Sequence, residues 1–141
     1  MRFVSQYGIN FGSIWISMKG VKGNNKRILL VEDDLSIAEM VSLILMDNNY
    51  DVTIPANHSQ ILSNINDTIF DLILLDMSLW GIDGAVIYKD IRGSKKNQTT
   101  PVVLMTARSG ASSMVDAIGV SGVIEKPFEV KELLKTVNSN I

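Results

Sequence analysis

The chain has 141 residues, no cysteine, 46% hydrophobic residues and a formal net charge of −2. That is enough for one domain with its own core, and it excludes a disulfide framework or a thiolate metal site. Lack of thiols fits a reducing compartment, so a cytoplasmic location is expected. No run approaches the ~18 or more apolar residues of a membrane helix, and no membrane partner is expected.

Charge is uneven along the chain. Residues 1–27 hold Arg2, Lys19, Lys22, Lys26 and Arg27 and no acid, leaving eight of the 13 basic residues against all 15 acidic ones in the remainder. Phosphate backbones attract basic faces, so direct nucleic-acid binding is not expected of so acidic a body. Residues 1–26 show neither a helical nor a strand period and are read as a leader, disordered or non-native in part, with Met18 as a second candidate start.

From Arg27 the pattern is regular. Ile28–Val31 is the first apolar run, and Ile37, Met40, Val41, Ile44 and Leu45 then form one helical stripe that Asn49 can stop in a left-handed conformation. A short strand near Asp51–Ile54 precedes a helix through Ile61, Leu62 and Ile65, capped by Asn57 or Ser59. Asp71–Leu75 is the third strand, and Gly81-Ile82-Asp83-Gly84 breaks the chain before a helix carrying Val86, Ile87 and Ile91. Pro101 opens the fourth strand, a short helix is expected around Ser113–Ile118, Val123-Ile124 is the fifth strand, and Val130, Leu133, Leu134 and Val137 stripe the last helix. Five strands alternating with five helices predict an α/β fold with a parallel sheet covered on both faces. The domain is placed at residues 27–141, with no output domain expected.

Four of the apolar runs end on polar residues: Glu32-Asp33-Asp34, Asp76, Thr106, and Lys126 before Pro127. Ligands of open α/β sheets bind beyond the carboxyl ends of the strands, so these groups are expected to converge there. Glu32, Asp33 and Asp76 suit Mg²⁺, a hard ion that takes carboxylates and phosphate oxygens. With the ion present Asp76 is expected to stay ionised and attack a phosphoryl group, while Lys126 and Thr106 meet its equatorial oxygens. Any one of these residues alone is more often a turn, cap or solvated group, but turn chemistry does not ask for all of them on four strands. Asp34 is read as a helix N-terminal residue, and the lone His58 as an exposed one.

At these residues the chain resembles the receiver domain of two-component response regulators, from Arg27 to Ile141. The resemblance implies a flavodoxin-like, doubly wound sheet of strand order 2-1-3-4-5. It also implies Mg²⁺ and phosphorylation of Asp76 from a sensor histidine kinase or phosphotransfer protein. A downstream protein target, and a monomer or phosphorylation-dependent dimer, follow from the same likeness. Glu32 and Asp33 fall on the family's acidic pair, Thr106 on its switch hydroxyl, and Lys126–Pro127 on its lysine and usual cis bond. Within DMSLWGIDG the backbone carbonyl at Ser78 falls on a metal ligand. Three positions depart from the pattern: Val123 stands where an aromatic ring is frequent, Trp80 where Pro is common, and the Thr106–Lys126 interval is short. Trp80 is read either as a surface ring beside the site or as plain packing, and Ser78 and Arg108 as residues that tune phosphoryl lifetime. A haloacid-dehalogenase-type phosphatase needs Asp-x-Asp after the first strand, but Leu35 stands two residues after Asp33. A receiver-like module that works by contact alone is the other alternative.

Overall fold

The computed structural model describes residues 15–16, 25–107 and 119–141. In chain order the strands are β1 (Trp15–Ile16), β2 (Arg27–Val31), β3 (Asp51–Thr53), β4 (Leu72–Asp76), β5 (Ser78–Leu79), β6 (Ile82–Asp83), β7 (Val102–Thr106) and β8 (Gly122–Glu125). The helices are α1 (Leu35–Asp47), α2 (His58–Asp67), α3 (Gly84–Gly93) and α4 (Val130–Asn140).

Successive strand residues point to opposite faces, and β2, β4 and β7 are apolar at nearly every position because both faces are covered. On one face Ile28, Leu30, Leu72, Leu74, Val103 and Met105 pack with Ala38, Val41 and Leu45 of α1 and with Leu133 and Val137 of α4. On the other, Leu29, Val31, Ile73, Leu75, Val102 and Leu104 pack with Ile61 and Ile65 of α2 and with Ile87 and Ile91 of α3. Most of each helical stripe anticipated from spacing covers the sheet, but Met40, Val86 and Val130 are exposed, and on α1 Ala38 and Met46 join the core instead.

Local chemistry sets the ends of the helices. Asp34 Oδ1 accepts from the Ile37 N–H at 3.1 Å and caps α1, and Asn57, rather than Ser59, caps α2 through the Gln60 N–H at 2.9 Å. Asn49 adopts φ +66° just beyond α1, as its position after the helix suggested.

Two expectations are corrected. Among the described residues the main sheet has six strands in the order β1-β3-β2-β4-β7-β8, and the five parallel ones run β3-β2-β4-β7-β8. The order 2-1-3-4-5 thus describes only the parallel part, because β1 adds antiparallel to β3 at the edge. An edge strand leaves backbone groups unpaired, and two residues suffice to meet some of them without any legible apolar period. β5 and β6 form a separate two-stranded hairpin that starts three residues before the chain break read at Gly81–Gly84 and overlaps it. Four helices occur among the described residues, and the helix expected around Ser113–Ile118 lies outside them.

Candidate phosphoryl-accepting site

Register brings the polar strand ends together. Val31 pairs with Leu75, so Glu32 and Asp76 follow at the same level; Asp76 pairs with Met105 and Thr106 with Glu125, so Thr106 and Lys126 lie one step further along each ladder. Parallel strands ending on one side leave these side chains no other meeting place. The carboxylates of Glu32, Asp33 and Asp76 each offer an oxygen within 4.8 Å of the others. Lys126 Nζ donates to Glu32 Oε1 at 2.6 Å and to Asp76 Oδ2 at 3.2 Å. An open cavity of about 640 Å³ is lined by Asp76, Thr106 and Lys126 together with Met77, Gly81, Ile82, Asp83 and Ala107.

Burial sharpens the electrostatics. Glu32 is 1% exposed, and desolvation first, then the neighbouring Asp76, push its pKa up to about 8, with Lys126 opposing the shift. For Lys126, burial pulls downward, but Glu32 and Asp76 outweigh it and hold the ammonium above its ordinary value. Glu32 Oε2 is buried and has no hydrogen-bond partner among the described residues. An unsatisfied buried carboxylate oxygen inside a cluster of hard oxygen donors fits a divalent cation of the Mg²⁺ type.

Close packing places Asp76 against α3. A Cβ at Gly84 would stand 2.9 Å from Met77 Cα and 3.1 Å from the Asp76 carbonyl oxygen, so only glycine lets the helix approach so near. Gly84 N–H also donates to the Met77 carbonyl at 2.9 Å. Ser78 lies in β5, two residues beyond Asp76, with its backbone paired to Asp83. The Lys126–Pro127 bond is cis.

Other anticipated residues fall as follows. Val123 is half-buried opposite Leu104 and packs against the α2–α3 side of the core. His58 is not the freely exposed residue expected: its Nε2 lies 3.0 Å from Asp90 Oδ2, both side chains about one-third exposed, because the first residue of α2 faces α3. Arg108 lies outside the described residues. Spacing did not foresee that Trp80 N–H donates to Asp33 Oδ2 at 2.9 Å, since a backbone donor in a loop leaves no mark in residue type.

The sequence pattern of the response regulator receiver domain matches residues 28–138. The chain belongs to this family. The receiver chain is 37% identical over 115 residues to the response regulator ArlR of Staphylococcus saprophyticus, an alignment covering 80% of this chain and 51% of ArlR. It thus spans about half the length of that relative. Its fold is similar to the chemotaxis response regulator CheY4 of Vibrio cholerae, with a TM-score of 0.77 and 28% identity over 84% of this chain and 100% of that one. It is also similar to the receiver domain of the sensor histidine kinase PA1611 of Pseudomonas aeruginosa, solved with a magnesium ion in its active-site cleft. That match has a TM-score of 0.73 and 26% identity over 82% of this chain and 97% of the other. Among the described residues no helix is long and apolar enough to cross a membrane.

Proposed function

We propose that this receiver domain takes a phosphoryl group from a phosphohistidine of a sensor histidine kinase or phosphotransfer protein onto Asp76. The observation that carries this reading is the Lys126 ammonium lying between Glu32 and Asp76 beside a three-carboxylate cluster. Glu32, Asp33, Asp76 and the backbone carbonyl at Ser78 would hold Mg²⁺. Bound there, the ion supplies positive charge to a phosphoryl oxygen. An Asp76 carboxylate oxygen forms the new O–P bond as the P–N bond to the donor imidazole breaks, and the imidazole leaves with the pair of electrons. Lys126 is within reach of Asp76 and meets the charge that arrives on its oxygens, and the Thr106 hydroxyl donates to another.

The added charge shifts the population of a surface read by a downstream protein, and hydrolysis of the acyl phosphate resets it. Residues 27–141 carry this activity, in the cytoplasm, as a monomer or a phosphorylation-dependent dimer. Incubation with Mg²⁺ and acetyl phosphate, followed by intact mass, tests the reading. The expected result is one phosphoryl adduct, missing in Asp76→Ala and after chelation. A wild-type chain that stays unlabelled overturns it.

A further inference from the structure

The turn between β5 and β6 has two positive φ angles in succession, +46° at Trp80 and +74° at Gly81. Such a pair marks the two-residue hairpin turn in which Asn, Asp or Gly normally takes the first place. A bulky residue there is an outlier that its surroundings must hold in place. Trp80 is 38% exposed, so the core does not demand this side chain. What the site takes from residue 80 is its backbone: the N–H reaches Asp33 Oδ2 at 2.9 Å across 47 residues of sequence. Asp33 is also the exposed member of the carboxylate cluster and the one that neither Lys126 contact reaches.

The geometry points to Trp80 as a positioning residue for the divalent cation, acting through its N–H on Asp33. This rests on reading the cluster as a Mg²⁺ site. A carboxylate accepts about four hydrogen bonds over its two oxygens, so one N–H orients it and leaves capacity for an ion. The left-handed backbone at position 80 is what aims the donor. Proline has neither the N–H nor access to positive φ, whereas Gly and Asn have both.

The test is Mg²⁺ affinity by calorimetry in the wild type, Trp80→Gly, Trp80→Asn and Trp80→Pro, with folding followed by circular dichroism. Gly and Asn variants are expected to bind as the wild type does, and the Pro variant roughly three- to tenfold more weakly, the size of one hydrogen bond. Equal affinity in a folded Trp80→Pro overturns the inference while leaving the Mg²⁺ reading intact. Absence of heat in the wild type sinks the Mg²⁺ reading itself. Should Trp80→Pro not fold, amide exchange decides: the Trp80 amide is expected to exchange about tenfold faster in Asp33→Ala than in the wild type, with the Leu75 amide unchanged. Equal Trp80 rates overturn the inference.

Discussion

At the tip of β2, Glu32 sits 1% exposed between a like charge and an ammonium, with burial foremost among the causes that raise its pKa to about 8. In the unfolded chain the same group titrates near its ordinary value of 4.5. The folded state therefore favours the protonated form, so this stabilisation is complete below the unfolded pKa and is lost as pH rises through about 8. Metal-free protein in chelator should lose stability between these limits, at up to about 1.4 kcal/mol per pH unit, as read by urea unfolding. Glu32→Gln should flatten that slope; an unchanged slope would assign it to other groups. Lys126→Ala removes the donor from both carboxylates and should destabilise the metal-free fold at pH 8 by about 1–3 kcal/mol in the same assay. The identities of Glu32, Asp33, Asp76, Thr106 and Lys126 were legible because each ends an apolar run. The bond from Trp80 to Asp33 was not, because backbone donors carry no side-chain signature.

Among the elements, α3 and the segment after it hold β4 in place. Gly84→Ala drives a methyl group to within 3.1 Å of the Asp76 carbonyl oxygen, so α3 must retreat. We expect a loss of about 1–3 kcal/mol together with slower phosphoryl uptake, measured by unfolding and by timed intact mass. Asn97 is fully buried, and its amide donates to the Ile65 and Thr68 carbonyls at 2.7 Å while its oxygen accepts from the Phe70 N–H at 2.9 Å. This one side chain ties the end of α2 to the entrance of β4. Asn97→Ala strands the Thr68 carbonyl and the Phe70 N–H, while the Ile65 carbonyl still accepts from the Ser94 hydroxyl at 2.6 Å, and should cost about 2 kcal/mol or more in urea, with the site residues untouched. Nothing in the sequence distinguished Asn97 from an ordinary turn residue, since its partners come from a segment 27 to 32 residues earlier. The helical stripes were easier to read, because burial of one face imposes a period on the sequence itself.

For the whole molecule, an ion that binds only the folded state raises stability by mass action. Mg²⁺ at 100 times its dissociation constant should add about 2.7 kcal/mol, seen as a rise in the unfolding temperature that Asp33→Ala abolishes. Among the described residues, β1 contributes two paired positions at the sheet edge, and we expect deletion of residues 1–24 to leave phosphoryl uptake unchanged and to cost about 1 kcal/mol or less in stability. A larger loss would make that segment part of the folding unit. By itself the sequence determined which runs are buried strands, which helix faces meet them and which polar residues end the runs. These are local consequences of burial and chain period. Only the tertiary structure decided the antiparallel edge at β3, the hairpin that lifts Trp80 to Asp33, and the contact of His58 with Asp90. Each of those depends on which distant backbone or side chain arrives alongside, and neither composition nor period encodes that.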